Sequence, residues 1–220
     1  MQGFQGDQGL RGEIGLQGAQ GNQGDQGNQG VQGPAGPPVD ATEALLVFST
    51  GLPFPVSLVH SATLIGPVVI VNSQADFIGQ GSNFVTETPV TSPNFLVDTS
   101  GLPVFSWSSP TAKTLTAISV TLSDPSLPPV LGLVSATVRI AAYIENAPLS
   151  TVFAPSALAV DLLVEPITSE VLQGQTFVPV PVAANQRVII VAFVSAVDSA
   201  GGVVTNTLTA SGISVGLTYV

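Results

Sequence analysis

The residues able to do chemistry are few in this chain, and their spacing rules out most of what they could do. There is one histidine, His60, and no cysteine. A Ser-His-Asp relay would need His60 oriented between a nucleophile and a carboxylate. It falls instead in an apolar run, Val56–His60, where a lone histidine is read as a structural residue. A zinc site needs three or four nitrogen or sulfur ligands, and one histidine without cysteine does not supply them. Among the carboxylates, Asp161 and Glu165 lie four apart with Glu170 following, a spacing that suits acid–base work or calcium if all face one way. The simpler expectation is solvated loop charge. No catalytic residue, cofactor or metal ligand is assigned.

The strongest pattern is one of glycine. Gly3, Gly6, Gly9, Gly12, Gly15, Gly18, Gly21, Gly24, Gly27, Gly30, Gly33 and Gly36 occupy every third position without a miss. In a collagen triple helix three extended chains wind about one axis, and only glycine fits where each chain passes it. A flexible linker has no reason to hold that register. Residues 1–38 are therefore expected to form a collagen-like stalk roughly 100 Å long, with these glycines at its axis. One chain does not make this structure, so the expected state is a homotrimer. The triplets are poor in proline (Pro34, Pro37 and Pro38 alone) and rich in glutamine at the third position, as at Gln5, Gln8 and Gln17. Winding such a sequence loses more chain entropy than a proline-rich one, so the stalk should need a clamp at its end. Gly3–Asp7 and Gly9–Glu13 come near integrin-binding collagen hexapeptides but lack their Glu-then-Arg order, and are read as surface charge.

Composition limits the partners. Four basic residues face 14 acidic ones, for a net charge of −10, which leaves no basic patch for nucleic acid or an anionic membrane. Apolar residues make up 45% of the chain and charged residues 8%. The longest apolar run, Val188–Val197, is half a membrane span and reads as a buried strand, so no membrane insertion is expected. No secretory-signal pattern precedes the first triplet, and no Asn-X-Ser/Thr acceptor occurs.

Residues 39–220 must then supply the clamp. Their β-branched runs alternate with proline and glycine and show no sustained helical period. Asp40–Leu45 alone resembles a helix start. Strands are expected at Ala44–Phe48, Val56–His60, Thr63–Val71, Leu115–Leu122, Ala136–Ile144, Ala157–Val164, Phe177–Val182 and Arg187–Ala196. In the fourth, Ile118, Val120 and Leu122 share a face opposite Ser119 and Thr121. The last stretch, Thr207–Val220, changes parity near Gly212, which suggests a bulge. Eight to ten strands at this spacing argue for an all-β sandwich, and a jelly roll leaves the fewest open edges. Of its aromatics, Tyr143, Phe193 and Tyr219 are candidate contacts between subunits, with Trp107 beside them. A trimer would also bring three copies of one carboxylate to its axis, where calcium is the one cofactor worth considering.

At this point the sequence resembles a family. The stretches Leu46–Pro53, Asp76–Ser82, Phe105–Pro110 leading into Leu115–Val120, Ala136–Tyr143, Phe177–Val182 with Asn185–Arg187, and Leu208–Val215 follow one another as in the heads of the collagen-like exosporium glycoproteins of endospore-forming bacteria, the BclA family. The resemblance implies a homotrimeric jelly-roll head of the complement and tumour-necrosis-factor type on a collagen stalk. It implies a structural role at the spore surface, in the hair-like nap or an appendage, with the head nucleating the triple helix and adhering to host or environmental surfaces. Its partners would be other spore-surface proteins, reached through an N-terminal anchor that these residues do not contain. The stalk departs from the family in carrying no threonine. The competing expectation for the same architecture is a receptor- or glycan-binding fibre tip of a phage or virus.

Overall fold

The computed structural model describes residues 3–23, 43–50, 56–65, 68–79, 83–90, 95–102, 104–129, 132–166, 170–200 and 203–220. The chain divides into two units, Met1–Val39 and Asp40–Val220. In the first unit residues 3–23 have no helix or strand, and all of them are exposed. A Cβ added at Gly3, Gly6, Gly9, Gly12, Gly15, Gly18 or Gly21 would meet nothing within 4 Å. None of these glycines sits in the left-handed region that would require one. Gly24, Gly27, Gly30, Gly33 and Gly36 lie outside the described residues.

The second unit is all β, with no helix among its described residues. Its strands are β1 (Ala44–Ser49), β2 (Val56–Ile65), β3 (Val68–Ile78), β4 (Asn83–Val90), β5 (Val97–Asp98), β6 (Trp107–Ser108) and β7 (Lys113–Ser123). Then come β8 (Leu133–Glu145), β9 (Val152–Val164), β10 (Leu172–Val182), β11 (Arg187–Ser199), β12 (Val203–Ala210) and β13 (Gly212–Tyr219). They form two antiparallel sheets. One has the order β1-β13-β7-β10; the other runs β12-β2-β3-β11-β8-β9-β5, with β4 on β3 and β6 on β11.

Alternation builds the core between the sheets. Leu115, Ile118, Val120 and Leu122 of β7 and Ile213, Val215 and Leu217 of β13 point inward from the smaller sheet. Val138, Ile140, Leu158, Val160, Val188 and Ile190 meet them from the larger one. Each such side chain contributes about 1.5–3 kcal/mol when fully buried. At Gly174 of β10 a Cβ would come within 2.4 Å of Val160 Cγ1. The glycine thus lets β10 close onto β9 of the facing sheet, and Thr176 Oγ1 donates to the Ala159 carbonyl at 2.7 Å beside it.

A second apolar cluster lies on the opposite face of the larger sheet. Phe77, Tyr143, Phe153, Ile189, Val191 and Phe193 are buried there beneath Phe95, Leu102 and Val104. Thr99 ties this covering segment down, giving both its N–H and its hydroxyl to the Thr151 carbonyl at 2.8 and 3.0 Å. β11 is therefore covered on both faces, which is why Val188–Val194 reads as an unbroken apolar run rather than an alternating one.

Three expectations are corrected. Of the helix start expected at Asp40–Leu45, the described part is not helical: β1 begins at Ala44, which pairs with Tyr219, while Asp40–Thr42 lie outside the described residues. The single strand expected at Thr63–Val71 is two, ending β2 at Ile65 and opening β3 at Val68, with Gly66 and Pro67 outside the described residues. The parity change near Gly212 is not a bulge. Thr209 pairs with Ser57 in the larger sheet and Gly212 with Ser123 in the smaller one. The chain crosses between sheets at Ser211, and a strand that changes sides of the core must exchange which parity faces inward. The short strands β5 and β6, and β4, carried no strand expectation.

Candidate functional site

His60 lies on the inward parity of β2, between Leu58 and Ala62, and is buried. Its cross-strand neighbours are Asn206 of β12 and Ser73 of β3. Both are committed elsewhere: Asn206 Nδ2 donates to the Pro128 carbonyl at 2.8 Å, and Ser73 Oγ accepts the Val194 N–H at 3.0 Å. His60 Nδ1 stands 3.4 Å from the Leu58 carbonyl, and Nε2 has no hydrogen-bond partner. Burial holds its pKa below the ordinary value of 6.5. It is a core histidine with no carboxylate to orient it.

One consequence is testable. A folded-state pKa below the unfolded one means the unfolded chain takes up the proton first as pH falls. Stability is complete above pH 6.5 and should decline as pH drops through that value toward the lower folded pKa, by at most about 1.4 kcal/mol per pH unit for one proton. The chain has one histidine, so His60→Gln should flatten the unfolding midpoint between pH 7 and 5.5. A slope that survives the substitution would place the titrating group elsewhere.

No Gly-X-Ser-X-Gly elbow is expected from the sequence, yet one such spelling occurs, Gly212–Gly216. In the structure it is part of β13, not a strand-to-helix turn, and Ser214 faces outward between Ser49 and Thr121. His60 is on the other sheet, turned into the core. The spelling carries no elbow.

The carboxylates part company. Asp161 of β9 sits opposite Arg139 of β8 and takes a fork of two bonds from it, Nε–Oδ1 at 2.8 Å and Nη2–Oδ2 at 2.6 Å. That pairing raises the arginine's pKa. Glu165 lies past the end of β9 and Glu170 is an exposed residue before β10. No group of three or more histidine or acidic side chains gathers among the described residues. Two carboxylates are buried among the described residues, Asp76 on β3 and Glu145, 1% exposed at the end of β8; the bonds of Glu145 define its role. Its Oε2 accepts the Arg187 N–H at 2.9 Å, and its Oε1 accepts Arg187 Nε and Nη2 at 3.1 and 3.0 Å. Arg187 also donates to the Ser150 carbonyl and lies over the Phe153 ring at 5.2 Å. This arrangement ties β8 to β11 and the turn after β8. Its geometry is structural.

Of the aromatics expected at a subunit contact, Tyr143 and Phe193 are 0% exposed. Both pack under Phe95, whose ring meets Phe193 edge-on at 5.0 Å and Tyr143 at 5.5 Å. As placed they offer no surface to a second chain, and burial pushes the Tyr143 hydroxyl pKa up. Tyr219 is half-buried at the end of β13, its ring tilted 44° against Trp107 at 4.9 Å, with Lys113 Nζ 5.6 Å from its ring.

The outward face of the smaller sheet carries open apolar side chains, as does the larger sheet at Val134 and Leu163. Its register sets Leu45, Thr218, Ala117 and Phe177 in one row across the four strands, and Val47, Gly216, Ser119 and Gln175 in the next. Leu45, Val47 and Phe177 are 62%, 56% and 70% exposed. Beside Phe177 lies a shallow cavity of about 240 Å³ lined by Glu43, Ser119, Gln175, Phe177, Gly216 and Thr218. A Cβ on Gly216 would come within 2.7 Å of Ser119 Oγ and 3.3 Å of Leu45 Cδ1, so the glycine creates the dip. Sequence reading placed Phe177 on a strand but could not say that its face is left uncovered.

No helix among the described residues is long and apolar enough to cross a membrane. Compared with protein-family models, curated proteins and solved structures, the chain gives no significant match.

Proposed function

We propose that this chain is a structural filament subunit of the bacterial spore surface, of the BclA kind. Residues 1–38 wind as a collagen triple helix, and residues 39–220 form a homotrimeric jelly-roll head that sets its register. One observation carries the reading. Glycine recurs at every third position from Gly3 to Gly36, yet within a single chain nothing approaches the seven described glycines and no backbone angle calls for them. Glycine kept where its own chain does not need it is explained by neighbours from other chains, which is the demand of the triple-helix axis. The all-β sandwich supports the head's part of the reading, since such trimers are built from that architecture. The role is reach and adhesion rather than catalysis.

The full chain should sediment as three copies. Gly18→Ala or Gly21→Ala should open the stalk to protease locally while the head's unfolding is unchanged. Equal cleavage of variant and parent stalks would remove the triple helix. Location is tested by antibody labelling of intact spores under the electron microscope. Label confined to growing cells would refute the spore assignment, and label on phage particles would favour the fibre-tip alternative.

A further inference from the structure

We infer that the hydroxyl-lined cavity at the Ser49 end of β1 binds a neutral saccharide, held through its hydroxyls by Ser49, Ser123, Ser214 and the Asp124 carboxylate. The inference deepens the adhesive role proposed above by naming a ligand class, and rests on that reading for its purpose. The cavity itself is built within one chain.

Its volume is about 390 Å³, and its lining is Ser49, Thr50, Ser123, Ser211 and Ser214 with Gly212 and Ile213. That size suits a small-molecule site. Strand register explains why so many hydroxyls meet. Ser49 pairs with Ser214, and Gly212 with Ser123, just after the chain crosses between sheets at Ser211. The walls are fixed by bonds within the protein. Thr50 donates its N–H to the Ile213 carbonyl at 3.0 Å, and its Oγ1 accepts the Ile213 N–H at 3.1 Å. Ser211 N–H donates to the Ser123 carbonyl at 2.9 Å. A Cβ at Gly212 would stand 3.4 Å from Thr50 Oγ1, so the glycine keeps the floor open. A site held this way loses little freedom when a ligand enters.

The lining offers hydrogen bonds that the fold does not use. The hydroxyls of Ser49, Ser123 and Ser214 make none among the described residues, and each carries one donor and two acceptor lone pairs. Ser211 Oγ donates to Asp124 Oδ2 at 2.9 Å, which draws that carboxylate to the rim and leaves Oδ1 to accept. A charged acceptor beside rotatable hydroxyls matches neighbouring sugar hydroxyls, each of which both donates and accepts.

Charge and shape narrow the class. With a net charge of −10 and Asp124 at the rim, an acidic sugar is repelled. No aromatic ring lines the cavity, so a flat apolar ligand has no face to stack on. The place fits an adhesive role. β1 runs from Ala44 to Ser49, so the cavity lies about 17 Å along the sheet from the end at which the chain enters that strand.

Hydroxyls without an aromatic anchor hold one sugar unit weakly, with a Kd on the order of millimolar. Saturation-transfer NMR on the full chain reads binding in that range. The probes are methyl α-mannoside and methyl β-galactoside as neutral sugars and glucuronate as the acidic one. At least one neutral glycoside should receive saturation from the parent, and glucuronate should not. Ser214→Val fills the cavity from an exposed strand position that suits valine, and should abolish the signal. Asp124→Asn keeps a side chain that tolerates the backbone φ of 45° there and removes only the charged acceptor. It should weaken binding about fivefold. Asp124 is exposed, so this variant decides the matter even where Ser214→Val does not fold. A parent that saturates neither glycoside, glucuronate bound as well as they are, or an unchanged signal in either folded variant would overturn the site. Sedimentation of the same samples separates this from the reading above. Three-chain particles that bind no sugar remove the site and leave the trimer, while single chains that bind sugar remove the trimer and leave the site.

Discussion

Residues 1–38, freed from the head at micromolar concentration, should lose their triple helix at temperatures where the intact protein keeps it. Low proline content leaves the free strands flexible, and winding them must overcome that entropy without the help of a preset backbone. In the intact trimer the head does what concentration cannot. Holding three chain ends together gives an effective concentration on the order of millimolar, roughly a thousandfold above micromolar peptide. Each of two association steps then gains about 4 kcal/mol, or about 8 kcal/mol in all. The isolated stalk's melting point should rise with its concentration, and that of the intact protein should not. Circular dichroism melts over a hundredfold concentration range measure both. A free stalk that melts with the intact protein, independent of concentration, would mean that the head contributes nothing to winding.

Within the head the largest single-residue effect is expected at Glu145. Replacing it by alanine removes the acceptor for three donors of Arg187, one of them a backbone N–H, at a site where the carboxylate itself is almost fully buried. The arginine keeps the Ser150 carbonyl and the Phe153 ring but not its counter-charge. Breaking one partner of a buried pair costs several kcal/mol; with the guanidinium partly open to water, about 3 kcal/mol is expected. For a domain of this size that lowers the unfolding midpoint by about 6–12 °C. Asp161→Ala is the matched control. It breaks a fork of equally good geometry, but one that is solvent-exposed, and should cost no more than about 1 kcal/mol. Similar losses for the two variants would show that burial is not what gives the Glu145 pair its weight.

What could be read without coordinates was whatever depends on neighbours in sequence. The alternation of Leu115–Leu122 placed Ile118, Val120 and Leu122 on the buried face, because a strand's pleat has a fixed period of two. The glycine period likewise states its demand locally, one residue in three. His60 was legible as a core residue from its apolar surroundings. What was lost each time was a fact about distant residues. Asp161 looked like a partner of Glu165 four positions on, whereas it belongs to Arg139, 22 positions back and one strand across. Glu145 and Arg187, 42 residues apart, carried no signal at all. A parity change at Gly212 was equally compatible with a bulge and with a change of sheet, since both invert the inward face; only the pairing of Thr209 with Ser57 and Gly212 with Ser123 separates them. The same holds for the aromatics. Sequence could put Tyr143, Phe193 and Phe177 on strands, but which ring is roofed by its own chain depends on where Phe95, Leu102 and Val104 come to rest. Those residues cover Tyr143 and Phe193 and leave Phe177 in the open, because a covering segment tied to Thr151 reaches one face of one sheet and not the other.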